Sequence, residues 1–520
     1  MALTVNEKLA AALKEAFKVA TGNVVKSSDL PARMKTLLVK KGYLKSIING
    51  WYLFDADIAI SKAGESALWY DSMWSFICRY LEVSYGKDYW LSAETSLDLY
   101  TANNAVPKQL IVFTKNGTQR IIALPNEMSL MVIPTKKEFS GISKIGNIQV
   151  LGLEFALANL APAFYRTDPL PVEIALNKAD INKVAKALIE SSNLASAQRI
   201  VGAYNEAGFK AESRKLKAMI EAAGFDTLTP VNPFDIPLIG LGHNRHDSPA
   251  AIRVRMLWEK LRGEVESEFS QVPKQHFFRQ KLKTITKGMD KVYKSDAYHS
   301  LSIEGYVVSE ELIEKVANGD WSIDSIESDK RHRDALAARG YYEAFEKLKE
   351  LIEEAHGDKS DVLDLNYLIE VGITEIYTAL FAPCVNAGIV KAHDLAGYRN
   401  GSIMIRGSQH VPPPSESLLD CMKVLTELIV KEPNFAIKAV LGHFFLGYIH
   451  PFPDGNGRTS RFIMNFLFTL GGYRWTVIPV TQRSNYLSSL EEASINGNAK
   501  SFASLLKKLM PDEYGLSPNI

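Results

Sequence analysis

One short stretch of this 520-residue chain combines residue types that suit chemistry on a phosphate ester: residues 450–461 read HPFPDGNGRTSR. His450 is a side chain that titrates near neutral pH and can accept a proton from an attacking hydroxyl. Asp454 is a carboxylate that would repel a phosphate, and a bridging Mg²⁺ would remove that conflict. The sequence therefore predicts His450 as a general base and Asp454 as a metal ligand.

The same stretch predicts a loop that binds phosphate. Gly455 and Gly457 allow backbone conformations that other residues disfavour, so that the N–H groups around Asn456 can converge on one anion. A helix is predicted to begin at about Arg458, and its positive N-terminus would face the same anion. Arg458 and Arg461 lie three residues apart and so are neighbours on that helix, where their guanidinium groups suit further phosphate oxygens. Together these residues predict polyphosphate binding.

The elements on either side of the loop explain how these residues would be positioned. An almost wholly apolar helix precedes His450 and is predicted to end there, because Pro451 disfavours helical backbone at the residue before it. The apolar residues of 462–470 form one stripe of a second helix. Most of the chain beyond residue 240 is predicted to be helical, with helices at 250–269, 276–298, 309–317, 330–356, 361–381, 415–430 and 436–448.

Length and composition limit the remaining choices. A chain of 520 residues exceeds what one hydrophobic core usually organises, so several domains are expected. With 46% hydrophobic residues, 23% charged residues and a net charge of +1, the composition is that of a globular protein and argues against wholesale polyanion binding. The three scattered cysteines, and a sequence without the pattern of an export signal or membrane span, predict a cytoplasmic protein with no membrane partner.

Breaks in the pattern suggest the domain organisation. A run at 230–249 rich in proline and glycine predicts a boundary near residue 240. We therefore expect a small helix-and-hairpin domain at 1–55, a mixed α/β domain of unassigned role at 56–240 and a helical domain at 241–510. Within the mixed region, residues 109–124 predict two strands joined at Asn116-Gly117. The expected fold class is mainly α.

The loop also matches a known pattern. Residues 450–461 fit the signature HxFx[D/E]GNGRxxR at every specified position, and on this ground about residues 250–510 resemble the Fic family. The resemblance implies a helical Fic core that transfers AMP from ATP to a Ser, Thr or Tyr hydroxyl. It implies that His450 deprotonates that hydroxyl, that Asp454 binds Mg²⁺ and that Phe452 packs the loop into the core. The backbone of residues 455–457 would cradle the α- and β-phosphates, with the two arginines holding the phosphate tail.

The resemblance gives a role to one interruption of the helical pattern. At residues 402–411 apolar and polar residues alternate, which predicts a β-hairpin flap. In the family such a hairpin resembles a clamp for the target, because an exposed strand can pair with an extended segment of another protein. The residues assigned to target binding are Ile403, Ile405, Gly407 and Ser408. A surface hairpin that binds nothing stays open as the alternative.

A second family pattern lies upstream. Ser300, Glu304 and Gly305 fit the inhibitory pattern [S/T]xxxE[G/N] at the end of a predicted helix. The resemblance implies that Glu304 pairs with Arg461 in the place of the ATP tail, so low basal activity is expected. The alternative is a solvated helical glutamate followed by an ordinary glycine cap.

The first 50 residues are basic. They carry nine Lys and Arg residues against three Asp and Glu residues, a net charge of +6. Two predicted helices and a hairpin around Asn49-Gly50 resemble a winged helix, which would present a helix to DNA, and the segment also resembles the opening of abortive-infection antitoxins. A protein-interaction or homodimerisation domain stays open as the alternative.

Two function classes therefore stay open for the whole chain. One is an enzyme that transfers AMP, and the other is a DNA-binding regulator or toxin–antitoxin component whose Fic-like domain only senses nucleotide. The presence of His450 favours the enzyme, because a sensor of nucleotide would have little need of a base.

Overall fold

The computed structural model describes residues 4–511 except 56–64, 104, 137–139, 226, 236–237, 239–246, 275, 319–328 and 358–363. The chain divides into two compact units, Met1–Pro249 with Ile403–Val411, and Ala250–Ser402 with Pro412–Ile520. The boundary predicted near residue 240 lies outside the described residues. The expectation of a mainly helical chain is confirmed.

The first unit opens with α1 (Val5–Val19), β1 (Val24–Lys26), α2 (Ala32–Lys40), β2 (Leu44–Ile48) and β3 (Trp51–Phe54). Thr4 caps α1, because its hydroxyl accepts the N–H of Glu7 while the Glu7 carboxylate accepts the N–H of Thr4. Gly50, with a φ of 83°, makes the tight turn between β2 and β3. The two predicted helices and the hairpin are confirmed, and β1 completes a sheet of order β1-β3-β2. The winged-helix resemblance stays a prediction.

The mixed region follows with α3 (Glu65–Tyr85), β4 (Tyr89–Leu91), α4 (Ala93–Tyr100), β5 (Gln109–Thr114), β6 (Arg120–Ala123), β7 (Ser129–Pro134), β8 (Ile142–Ile145) and β9 (Ile148–Leu151). The strands predicted around Asn116-Gly117 form as β5 and β6, but they are not neighbours. The sheet order is β4-β5-β7-β6, with β5 and β7 parallel. The buried side chains of β5 and β7 pair in register, whereas β6 is mostly exposed and takes the edge.

Helices complete the first unit: α5 (Leu153–Ala158), α6 (Phe164–Thr167), α7 (Pro169–Lys178), α8 (Ile181–Ser191), α9 (Leu194–Glu206) and α10 (Lys210–Ala222). Their apolar faces enclose one core that includes Leu188, Ile200 and Leu216, none of which is exposed. This core makes the region a packed helical layer next to the sheet of the same unit.

The predicted β-hairpin flap is wrong as a strand pair. Residues Ile403–Val411 belong to the first unit, and no strand is formed within the described backbone of this segment. The chain turns at Gly407, whose φ is 77°, and the carbonyl of Gln409 accepts the N–H of Val106 at 2.8 Å. The alternating pattern misled because a segment whose backbone pairs with a distant loop alternates in the same way as a strand.

The second unit consists of α11 (Pro249–Phe269), α12 (Leu282–Ile303), α13 (Glu310–Ala317), α14 (Asp329–Gly357), α15 (Leu365–Asn386), α16 (Leu418–Lys431), α17 (Phe435–Ile449), α18 (Asn456–Leu470), α19 (Arg483–Asn496) and α20 (Lys500–Leu509). The predicted helices are confirmed, with two shifts. Helix α12 begins at Leu282 rather than near 276 and continues to Ile303, and α15 runs over Leu365–Asn386 rather than 361–381. Almost every residue of α17 and α18 is buried, which places this pair at the centre of the unit.

Among the described helices, α15 is long and apolar enough to cross a bilayer by length and composition. Half of its most apolar window is buried inside the unit. A Cβ atom at Gly340 of α14 would lie 2.0 Å from the carbonyl oxygen of Leu380, so the backbones of α14 and α15 approach closely. Such packing is typical of a core helix. The absence of a membrane partner stays a prediction.

Candidate active site

His450 ends α17 in a left-handed conformation, with φ 51° and ψ 58°. Residues other than glycine rarely adopt this conformation, so the surrounding contacts must hold it. Its N–H donates to the carbonyl of Leu446 at 3.0 Å, and Nδ1 lies 3.2 Å from the carbonyl oxygen of Gly447. A neutral imidazole that donates from Nδ1 leaves Nε2 unprotonated, which is the form that a general base needs.

The surroundings of His450 favour this neutral form. Burial lowers the pKa of His450 below its ordinary value of 6.5, although the hydrogen bond to Gly447 opposes the shift. The positive charge of Arg399 lowers the pKa further, whereas the negative charges of Glu304 and Asp454 raise it. Because the net shift is downward, the imidazole is mostly neutral at pH 7 and able to accept a proton.

The side chain of Asn456 closes the loop that follows His450. Its Oδ1 accepts the N–H of Phe452 at 2.9 Å, and its Nδ2 donates to the carbonyl of Phe452 at 2.8 Å. The Phe452 ring stacks on Tyr377 of α15, with ring centroids 3.8 Å apart and planes 8° from parallel. Phe452 therefore packs the loop into the core, while the Asn456 amide fixes its shape.

Helix α18 begins in this loop and offers an anion site. Gly455 caps the helix with a φ of 77°, and a Cβ there would lie 2.7 Å from Cε2 of Phe381, so both backbone angle and space require glycine. The N–H groups of residues 456–458 are those that an α-helix leaves without intrahelical partners, and the helix dipole makes them attractive to anions. Asp454 is adjacent, and its Oδ1 accepts the N–H of Gly455 at 2.6 Å.

Arg458 is buried in the first turn of α18 and held by aromatic rings. Its guanidinium carbon lies 5.1 Å from the ring centroids of both Tyr306 and Phe381. One terminal nitrogen is 3.4 Å from Oδ2 of Asp454, and Nε is buried without a hydrogen-bond partner among the described residues. Stacking thus orients Arg458 and leaves donor capacity for an anion.

Arg461 lies one turn further along α18 and contacts the end of α12. Its Nε donates to Oγ of Ser300 at 2.8 Å, and one terminal nitrogen donates to the Ser300 carbonyl at 3.2 Å and to Oε1 of Glu304 at 2.7 Å. Burial acts to raise the pKa of Glu304, but the charge of Arg461, followed by those of Arg458 and His450, lowers it overall. Glu304 is therefore a carboxylate in an electropositive site.

The Glu304 carboxylate occupies space that exists because residue 457 is glycine. A Cβ on Gly457 would lie 2.3 Å from Oε1 of Glu304 and 3.2 Å from a terminal nitrogen of Arg461. Gly305, with a φ of 84°, ends α12 and brings Glu304 to this position. The anion site at the start of α18 is thus filled by a carboxylate of the protein itself.

The match to known proteins agrees with this geometry. The Fic/DOC family model matches residues 367–468, which include the whole loop and most of α18. Over this part the chain is similar to the Fic/DOC family. It is 27% identical over 220 residues to a protein adenylyltransferase Fic of Nematostella vectensis, covering 42% of this chain and 46% of that protein. A protein of the same name from Drosophila mojavensis is 28% identical over 209 residues, covering 39% and 37%.

The chain therefore spans less than half of the length of these two curated relatives. Among solved structures, Fic-1 of C. elegans (residues 134–508) aligns with a TM-score of 0.34 and 16% identity, covering 65% of this chain and 93% of that one.

The structure brings most of the predicted site residues together in the second unit, and the four flap residues lie in the first unit. There, the N–H of Ser408 donates to the carbonyl of Ile405 at 3.1 Å beside Gly407, and Ser408 Oγ accepts the N–H of His410 at 3.0 Å. Ile403 begins the same segment. Their binding of a target stays a prediction.

The surroundings of Asp454 are compatible with the predicted role of this residue as a magnesium ligand. Among the described residues, no three His, Cys, Asp or Glu side chains form a ready-made metal site. Mg²⁺ in nucleotide sites typically uses one or two carboxylates together with substrate phosphates. The Asp454 side chain is 66% exposed and lies beside the anion site, so a single carboxylate there fits this type of binding.

Two residues near the loop have roles that the sequence does not predict. Asn456 was predicted only as part of the phosphate cradle, whereas its side chain shapes the loop. Arg399 was not singled out, although its Nε donates to the carbonyl of His450 at 2.8 Å. For Asn456, a side chain with both a donor and an acceptor between two glycines was a usable indication. No feature of the sequence indicated the role of Arg399.

Proposed function

We propose that this Fic protein is a protein adenylyltransferase, which transfers AMP from ATP to a Ser, Thr or Tyr hydroxyl of a target protein or of itself. The observation that carries the proposal is that His450, whose Nδ1 lies 3.2 Å from the carbonyl oxygen of Gly447, stands on the same short loop as an anion site at the start of α18. The names of the relatives support it, since both are protein adenylyltransferases.

In the proposed reaction the target hydroxyl oxygen attacks the α-phosphorus of ATP. The bond from that phosphorus to the oxygen bridging the β-phosphate breaks, pyrophosphate leaves, and the hydroxyl proton passes to Nε2 of His450. The N–H groups of residues 456–458 bind α- and β-phosphate oxygens, and Arg458 and Arg461 bind the tail. Mg²⁺ held by Asp454 would neutralise charge on the leaving pyrophosphate.

Glu304 is proposed to hold the enzyme in an inactive state. Its carboxylate lies 2.3 Å from the position that a Cβ of Gly457 would occupy, and it accepts a hydrogen bond from a terminal nitrogen of Arg461. The ATP tail needs the same guanidinium, so ATP binds with its phosphates displaced for as long as Glu304 stays in place. Basal activity is therefore low, and it rises when Glu304 leaves.

Labelled ATP and Mg²⁺ test both parts of the proposal. We expect weak labelling of protein by the unaltered chain, strong labelling by Glu304→Gly, and none by Glu304→Gly with His450→Ala. Glu311→Gly, which removes an exposed glutamate from the first turn of α13, is the matched control and keeps the weak labelling. Mass spectrometry for a 5′-AMP adduct names the modified residue and the target. Labelling that survives His450→Ala would refute the mechanism.

For residues 1–55 we propose duplex DNA as the partner, with another protein or a second copy of the chain as the competing choice. The support is the net charge of +6 in the first 50 residues, carried by two helices and a three-stranded sheet with a hairpin. This role would direct the enzyme to a location or target, and it leaves the chemistry at His450 unchanged.

A further inference from the structure

Arg399 is a buried cation whose contacts in the structure are with the main chain, and only 6% of its surface is exposed. Its Nε donates to the carbonyl of His450 at 2.8 Å, and its two terminal nitrogens donate to the carbonyls of Gly401 and Pro413, each at 2.6 Å. Its own N–H donates to the carbonyl of Pro451 at 2.9 Å. One residue thus joins three stretches of the second unit.

These contacts restrain the catalytic loop at its first peptide bond. The left-handed conformation of His450 is one that residues other than glycine adopt only when their surroundings hold it. The guanidinium is a planar, rigid fork, so fixing two of its nitrogens on Gly401 and Pro413 also fixes where the third must meet the His450 carbonyl. Rotation of that peptide would move the imidazole and break its Nδ1 contact with Gly447.

We propose that Arg399 is a positioning residue for the reaction described above, which fixes the peptide of His450 so that Nε2 faces the target hydroxyl. The proposal rests on the proposed role of His450 as the base. The anion site depends on other groups, namely the N–H groups of residues 456–458 and the guanidinium of Arg461. Loss of Arg399 should therefore slow the chemical step without weakening the binding of ATP.

Arg399→Lys in the Glu304→Gly background tests this proposal. Lysine keeps the charge, but one ammonium group cannot meet three carbonyls that are placed for a fork. We expect kcat for AMP transfer to fall about 100-fold, the cost of a base displaced by about 1 Å. The Kd for ATP should change by less than about 3-fold, because the groups proposed to bind the ATP phosphates are not altered by this substitution. Arg255→Lys is the matched control, since its partner is the carboxylate of Glu427 and an ammonium can replace it; kcat should not change.

Parental kcat in the Arg399→Lys protein would overturn the proposal. So would a loss of ATP binding in proportion to kcat, which would indicate general damage to the unit. A second readout needs no activity: ¹⁵N chemical shifts of the His450 ring, assigned with His450→Ala, report which nitrogen carries the proton. We expect the Nδ1–H form in the parent and a mixture with the Nε2–H form after Arg399→Lys. An unchanged tautomer would overturn the proposal, whereas an inactive Glu304→Gly parent would count against the proposed function alone.

Discussion

In the proposed function, the contact between Glu304 and Arg461 determines how strongly the protein is inhibited, and Glu304→Gln measures the contribution of the Glu304 charge. Glutamine keeps the length of the side chain and an oxygen for the 2.7 Å hydrogen bond, but it removes the negative charge. A hydrogen bond to a charged group contributes about 1.5–3 kcal/mol. Because 35% of the Glu304 side chain is exposed and solvent screens it, we take the lower end of this range.

A contribution of about 1.5 kcal/mol corresponds to about a 10-fold change in the balance between inhibited and free states. We expect Glu304→Gly, which removes the whole contact, to raise the initial rate of AMP incorporation by at least about 10-fold. Glu304→Gln should give an intermediate rise of about 3-fold, because a hydrogen bond from the Arg461 guanidinium to a neutral amide oxygen remains. The assay is the initial rate with labelled ATP at saturating Mg²⁺, measured at several ATP concentrations.

The order of the three rates tests whether Glu304 inhibits the protein through its charge. Equal rates in the unaltered, Glu304→Gln and Glu304→Gly proteins would refute inhibition by Glu304. Equal rates in the two variants, both above the unaltered protein, would show that the charge carries the whole effect and that the hydrogen bond carries none. A rate for Glu304→Gln below that of the unaltered protein would contradict the contribution assigned to charge.

Three further outcomes are expected. Because burial lowers the pKa of His450, kcat/KM of Glu304→Gly should fall on acidification only below pH 6.5, where protonation removes the base; a limb above that pH would contradict the assignment. Asn456→Ala removes two buried hydrogen bonds to Phe452, so urea denaturation should show a free energy of unfolding lower by about 2–3 kcal/mol, and an unchanged value would mean that the loop does not depend on the amide. The full chain should bind duplex DNA through residues 1–55 at low salt and lose affinity steeply as salt rises, and no binding at low salt would end the DNA proposal.

Local sequence rules predicted the site well where the cause is local. Pro451 ends α17 at His450, the glycines open the loop, and α18 begins with its N-terminus facing the anion site. The pairing of Glu304 with Arg461 was expected only through the family pattern, since 157 residues separate the two side chains. The separation of two residues along the chain does not predict whether their side chains are in contact.

The features that the sequence did not predict depend on tertiary packing. Arg399 meets His450 across 51 residues, and its partners are main-chain carbonyls, which no side-chain pattern indicates. Strands β5 and β6 were recognisable, but their separation by β7 follows from which faces are buried in the folded sheet. The alternation at 402–411 has the same appearance in a hairpin and in an extended segment, and only the partner of the backbone at Gln409 distinguishes them.

In the proposed mechanism, the absence of a side chain at Gly457 leaves one small space that the Glu304 carboxylate and the ATP phosphates both need. A methyl group there would evict the Glu304 carboxylate, 2.3 Å from where its carbon would stand, yet the same methyl would obstruct the phosphates that replace that carboxylate. If the proposed mechanism holds, a substitution at this position does not produce a constitutively active enzyme, because it removes the inhibition and the binding of the ATP phosphates together. Constant activity is then expected from substitutions on the α12 side of the contact, which remove Glu304 and leave the anion site at the start of α18 intact.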